Sequence, residues 1–314
     1  MTFPAENELS QLNTCGRYGI LIRNARNRYT RCATKRIQVI GTAGVKEVQT
    51  LKILCLASGS SGNCIYVETG TAKILFDVGI SAKRITETLI AANIQPYELD
   101  AAFITHEHTD HVGGLPVFLK KYNIPVYGTH ETLQAVISQS KGRVFPTELF
   151  RSIVPGTVVT VGDAVISASY ISHDAAKPVA YRITAGGRSF SMATDLGCYD
   201  DTIVSHLSGA DAVYVESNYD RDMLLVGPYP FTLKRRIMGP YGHLSNDECA
   251  SLVTAILHSG LKHVMLAHLS KDNNIPELAF ETARESLQKN WRYTGPAPQL
   301  QVAKRDEPSE WIVI

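Results

Sequence analysis

With 314 residues, 44% of them hydrophobic and 19% charged, the chain has the make-up of a folded globular protein and not of a disordered, collagen-like or coiled-coil one. A formal charge of +1 selects no partner, and no uncharged apolar run approaches the roughly 18 residues that a membrane-spanning helix needs. Six scattered cysteines (Cys15, Cys32, Cys55, Cys64, Cys198 and Cys249), with no C-x-x-C pair, read as reduced thiols of a cytoplasmic enzyme.

Residues 1–50 hold eight basic side chains against three acidic ones, which leaves residues 51–314 at a net −4. The first segment shows neither strand alternation nor a helical face, and no apolar stretch followed by a small-residue cleavage site. It reads as a poorly ordered basic extension, a leader or a mis-assigned start, in preference to a nucleic-acid-binding arm. From Leu51 the pattern sharpens into a domain spanning 51–314. Strands are expected at Leu51–Leu56, Cys64–Glu68 and Lys73–Phe76, with a small-residue loop at Ala57–Asn63. Ser81 is placed to cap a helix carrying Ile85 and Leu89, with Pro96 just beyond its end. A short apolar strand at Ala101–Thr105 runs straight into a histidine-rich turn. Next come a helix near Val112–Tyr122, a strand at Val126–Tyr127 and a helix after Thr129. β-Rich segments follow at Ser152–Thr160, Ala164–Ile171, Ala180–Thr184 and Arg188–Met192. The last third alternates a helix at Asn246–Ser259, a strand at His263–Leu266 and a helix at Glu277–Lys289. Strand-rich halves interleaved with helices predict an α/β layered sandwich.

The turn reads His106-x-His108-x-Asp110-His111. In extended backbone residues 106 and 108 project to one side, so both imidazoles can reach one cation. As the chain turns, Asp110 and His111 are carried toward a neighbouring position where a second can sit. Imidazole plus carboxylate suits Zn²⁺, Mn²⁺ or Fe²⁺, and the absence of thiolates argues against a closed structural zinc site.

This motif resembles the metal motif of the metallo-β-lactamase superfamily, whose fold is a four-layer αββα sandwich in a single domain. The resemblance implies three more ligands at later strand ends, and His173, Asp195 and His268 stand there in the required order. It assigns His106, His108 and His173 to one metal, Asp110, His111 and His268 to another, and Asp195 to both. Further stretches, Ser58-Gly-Ser-Ser-Gly-Asn63, Glu216-Ser-Asn-Tyr-Asp220, Gly227-Pro-Tyr-Pro230, Gly242-His-Leu-Ser-Asn246 and Ala267-His-Leu-Ser270, are similar to the YycJ/WalJ group of this superfamily across residues 51–314. That group implies two divalent ions per chain, a metal-activated hydroxide, 5′-to-3′ exonuclease activity on DNA more than on RNA, and a part in mismatch repair.

Phosphodiester cleavage needs a proton for the leaving 3′-oxygen. His243 is the candidate donor, partnered by Glu216 as in the similarly ordered Glu–His pair of ribonuclease Z relatives, while Asp110 could orient or deprotonate the water. Asp77 is expected to orient a metal ligand from behind. Ser58, Ser60 and Asn63 are candidate phosphate contacts in a loop whose glycines permit close approach, and Lys234 and Arg235 are candidates in the one triple basic run. A thioesterase of the glyoxalase II kind, a small-molecule phosphodiesterase and a non-catalytic metal-binding scaffold are the rivals. The residues leave metal identity, end polarity and oligomeric state open.

Overall fold

The computed structural model describes residues 50–139 and 145–314, so the reading of the basic extension lies, but for Thr50, outside the described residues. In chain order the first half forms β1 (Lys52–Ala57), β2 (Cys64–Glu68), β3 (Lys73–Phe76), α1 (Ala82–Ala91), β4 (Ala101–Phe103), α2 (Thr109–Val112), α3 (Leu115–Tyr122), β5 (Val126–Thr129), α4 (His130–Ser138) and β6 (Phe150–Ile153). The second half begins with β7 (Val158–Val161), β8 (Ala164–Tyr170), β9 (Val179–Ala185), β10 (Arg188–Ala193), α5 (Asp201–Leu207) and β11 (Ala212–Glu216). It continues with α6 (Arg221–Val226), α7 (Phe231–Ile237), α8 (Asn246–Ala255), β12 (His263–Ala267), α9 (Pro276–Asn290), β13 (Gln299–Val302) and β14 (Ile312–Val313).

Two seven-stranded sheets result, ordered β14-β1-β2-β3-β4-β5-β6 and β13-β12-β11-β10-β9-β8-β7. Each half starts with antiparallel neighbours and ends with parallel ones: β3 through β6 run parallel in the first sheet, and β10 through β13 in the second. Alternation along a strand sends side chains to opposite faces. In β1, Ile53 and Cys55 join Tyr181, Phe190 and Met265 in a core between the sheets, while Leu54 and Leu56 meet Ile85, Leu89 and Phe118 under the helices of the first half. Val213 and Val215 of β11 pack on Leu252, Val253 and Ala283 of α8 and α9 on the opposite side. Both outer faces are thus helix-covered, and the four layers are αββα.

Two stretches expected to be continuous are divided. The β-rich stretch at Ser152–Thr160 divides between the two sheets, because the chain turns at Pro155-Gly156, where Gly156 has φ +87°. The helix expected near Val112–Tyr122 is two helices, Thr109–Val112 and Leu115–Tyr122. The break falls at Gly113-Gly114, where a Cβ on Gly114 would lie 1.9 Å from the Ile80 carbonyl oxygen. Ser81 caps α1 as expected, its hydroxyl accepting from the Arg84 N–H.

The parallel strands end on a common edge, where open α/β sheets place their ligands. Register levels them: Ala193 sits beside Val215, and Val215 beside Leu266. On the first sheet the same edge is closed by a tight approach, Gly79 donating its N–H to Asn63 and Asn63 donating to the Asp110 carbonyl at 2.7 Å. A Cβ on Gly79 would lie 1.7 Å from that carbonyl oxygen. Gly79→Ala should therefore displace the 106–111 turn, lowering stability by roughly 1–3 kcal/mol in denaturant titration and reducing metal retained after dialysis.

Candidate metal centre

Three side chains on this edge leave strands through a left-handed backbone: Asp77 after β3 (φ 58°), Asp195 after β10 (φ 57°) and His268 after β12 (φ 54°). Such a conformation costs a non-glycine residue about 1–3 kcal/mol and persists where surrounding bonds over-determine it. Those bonds are present. Asp77 accepts from the Thr105 N–H at 2.9 Å and from the Thr105 hydroxyl. The His268 N–H donates to the Ser58 hydroxyl at 2.8 Å, and Asn218 donates to the His268 carbonyl at 2.8 Å.

The turn, β8, β10 and β12 bring all seven expected ligands together. His106, His108 and His173 offer donor atoms that lie within 4.8 Å of one another, as do Asp110, His111 and His268, and as do His106, His111 and Asp195. Asp195 joins the groups: its Oδ2 is 3.1 Å from His111 Nε2, and its Oδ1 is 3.5 Å from His268 Nε2 and 3.8 Å from His173 Nε2. The Nε2 atoms of His106 and His268 are buried with no hydrogen-bond partner. An orphaned imidazole nitrogen facing carboxylates and other imidazoles fits a divalent cation.

Hydrogen bonds from behind decide which nitrogen faces inward. His111 Nδ1 meets Asp77 Oδ2 at 2.7 Å, His268 Nδ1 meets Glu216 Oε1 at 2.9 Å, and His173 Nδ1 meets the Gly242 carbonyl at 3.1 Å. Each contact turns Nε2 toward the cluster. His108 does the reverse and brings Nδ1 to 3.3 Å from His173 Nε2.

Glu216, fully buried at the end of β11, also takes His243 Nδ1 at 2.7 Å on the same Oε1. Its Oε2 accepts from the Leu196 and Leu244 N–H groups. With both oxygens engaged, Glu216 is a brace for two imidazoles. His243 keeps 15% of its side chain exposed, and its Nε2 is the nitrogen that Glu216 does not engage.

Four carboxylates in so small a space make the edge a trap for positive charge. Burial alone would lower the proton affinity of His111 and His268, yet Asp77 and Asp195 hold His111 well above the usual histidine range, and Asp195 with Asp110 and Glu216 lifts His268 to about 10. Burial likewise opposes ionisation of Asp195, but His268 and His111 hold it well below the usual carboxylate range. His106, deeply buried and beside His111, is pushed well down and is a neutral donor. His243 is raised by Glu216 against burial. A divalent cation entering here displaces protons from imidazoles.

The substrate-contact candidates separate. Ser58 and Asn63, expected at a phosphate, are buried 2% and 3% exposed. Ser58 hydrogen-bonds Tyr214 at 2.6 Å and holds His268, while Asn63 bonds Gly59 and lies 3.0 Å from His111 Nε2. They shape the ligand turn from inside. Ser60 is exposed and lines, with Ser61, Ser81, Thr109 and Asp110, a cleft of about 370 Å³. Lys234 donates to the Leu225 and Gly227 carbonyls at 2.7 Å each and is committed to its own loop, whereas Arg235 is exposed.

Several positioning residues escape a reading by ligand type. Thr105 bonds Asp77 and also lies 3.1 Å from His106 Nδ1, and Glu107 accepts from the Ala176 N–H in the His173 loop. Behind Asn218, the buried Ser217, Asn246 and Asn274 bond one another. Ser217, Asn218 and Asn246 fall in the short motifs at 216–220 and 242–246, which bear none of the seven candidate ligands, whereas Thr105, Glu107 and Asn274 carry no such signal. Asp77→Asn removes the carboxylate behind His111 and should weaken metal binding by roughly 10–100-fold in a chelator-competition titration, with the fold retained by circular dichroism.

Comparison with known proteins agrees with this geometry. Residues 72–269 match the family described as Beta-lactamase superfamily domain. Over 239 residues, 75% of this chain and 88% of the relative, the sequence is 41% identical to exodeoxyribonuclease WalJ of Streptococcus pneumoniae. It is 37% identical over 245 residues to exodeoxyribonuclease YycJ of Bacillus anthracis, covering 78% and 92% of the two chains. The metallo-beta-lactamase fold protein YhfI from Bacillus subtilis superposes with a TM-score of 0.60 at 17% identity, over 83% of this chain and 99% of that one. A buried histidine–aspartate cluster on this fold binds divalent metal, and the chain belongs to the metallo-β-lactamase superfamily as a metal-dependent hydrolase of the YycJ/WalJ kind.

Proposed function

We propose that the chain is a dinuclear-metal phosphodiesterase that degrades DNA from the 5′ end. The observation that carries the reading is the Glu216–His243 pair at 2.7 Å, set 3.7 Å from Asp195 at the rim of the donor cluster. A thioester hydrolase has no use for a second imidazole held there, because a thiolate leaves without a proton donor. The names of the two relatives, both exodeoxyribonucleases, support DNA as substrate.

His106, His108 and His173 would hold one ion, Asp110, His111 and His268 the other, and Asp195 both, since a carboxylate can join cations about 3.5–4 Å apart. Bound Zn²⁺, Mn²⁺ or Fe²⁺ would supply Lewis-acid polarisation of a phosphoryl oxygen and a water acidic enough to ionise near neutral pH. Asp110, with 23% of its side chain exposed beside the cleft, is placed to accept the proton of the attacking water. As the new P–O bond forms and the bond to the 3′-oxygen breaks, His243 Nε2 gives its proton to that oxygen. Glu216 fixes the tautomer and steadies the charge that His243 carries. Ser60 in the cleft and Arg235 on α7 are the remaining candidates for the backbone phosphates.

Digestion of 5′- and 3′-labelled single- and double-stranded DNA and RNA under Mn²⁺, Zn²⁺ and Mg²⁺ tests this. Mononucleotides should be released from the 5′ end of DNA. Turnover of thioesters with no nucleic acid cleaved would refute it. His108→Ala and Asp195→Ala should lose metal and cleavage together, by elemental analysis and gel assay. His243→Ala should keep its metal and slow cleavage by roughly 10²–10⁴; wild-type speed in that variant would remove His243 from the mechanism.

A further inference from the structure

The segment from α6 to the end of the loop after α7, which leads directly into His243, exposes large apolar side chains. Val226 is 86% exposed, Phe231 72%, Tyr241 63% and Leu225 52%. The frame that carries them is stiff. Lys234 ties the α6–α7 turn through its two carbonyl bonds, Pro228 and Pro230 flank that turn, and Leu224, Tyr219 and Ile237 pack beneath. Exposed apolar groups on a rigid support mark a binding surface, because contact with them costs little ordering.

The C-terminal end of α7 joins the site, the Ile237 carbonyl accepting from the His243 N–H at 2.9 Å and Arg236 pairing with Asp174 at 2.6 Å. The Tyr241 carbonyl accepts from the Asp174 N–H, the Gly242 carbonyl meets His173, and His243 follows directly. Of the four basic side chains at 219–241, Lys234 is committed to carbonyls and Arg236 pairs with Asp174 at 2.6 Å, which leaves the exposed Arg221 and Arg235 to meet a polyanion. Arg235 lies one helical turn from Phe231, so cation and aromatic ring share a face of α7. Bases present a stackable face whatever their sequence.

We infer that Phe231 and Tyr241 form a stacking platform for the bases of a single-stranded DNA segment next to the scissile phosphate, with Arg235 on its backbone. The inference rests on the nuclease reading above and adds to it the conformation of the substrate. A phosphorothioate-linked single strand tests it, compared with the same strand carrying three consecutive abasic residues, by fluorescence anisotropy on the metal-loaded enzyme and on the Phe231→Ala/Tyr241→Ala variant. Abasic replacement should raise the wild-type Kd about tenfold, and the variant should bind the two strands alike. Equal wild-type affinity for both strands, with cleavage of ordinary DNA intact, overturns the platform and leaves the nuclease reading standing. Absence of both binding and cleavage in the wild type overturns both. A dimer in sedimentation that Phe231→Ala dissolves would assign the face to a second copy of the chain and overturn the platform as well.

Discussion

One carboxylate organises the site. Asp195 leaves β10 through a left-handed residue, buried, with one oxygen toward His111 and the other between His173 and His268. That arrangement is tolerable only because three imidazoles surround it, and those imidazoles are held together only because a negative group stands among them. Neither half of the fold contains the site by itself. The first sheet delivers the 106–111 turn and the second delivers residues 173, 195 and 268, so the cluster requires both sheets to be packed together.

The candidate ligands were legible because the 106–111 turn, His173, Asp195 and His268 come just after strands, and a strand end is where a polar side chain leaves the core. His106 after β4, Asp195 after β10 and His268 after β12 obey that rule. Ser58 and Asn63 were misplaced because small polar residues between two strands read as an exposed loop. Ser58 is held by Tyr214 and His268, more than 150 residues away, and Asn63 by Asp110 and His111 of the ligand turn, contacts that leave no local trace. Strand β11, buried at every position, has no alternation to read, and β14 owes its place to pairing with Lys52 and Ile53 across nearly the whole domain. The division of the expected helix at Gly113-Gly114 likewise reflects a contact with Ile80 from a separate strand end.

Support behind the donors is as extensive as the donor set. Asp77 and Thr105 serve His111 and His106, and Glu216 serves His268 and His243. The shared Oε1 of Glu216 links the residue that would donate a proton to one that would hold metal. His243 and His268 therefore keep a fixed mutual geometry, as an in-line displacement at phosphorus would require of them in the proposed roles. The 106–111 turn and the Glu216 brace meet on the same strand edge, with the cleft at Ser60 beside Asp110.

The most direct test is anomalous scattering from crystals grown with Mn²⁺ and collected at the manganese edge. Two peaks about 3.5–4 Å apart, one on each side of the Asp195 carboxylate and both clear of Glu216, are the expected result. A lone peak coordinated by His243 or Glu216, or none near Asp195, would contradict the shared-carboxylate centre on which the chemistry is built.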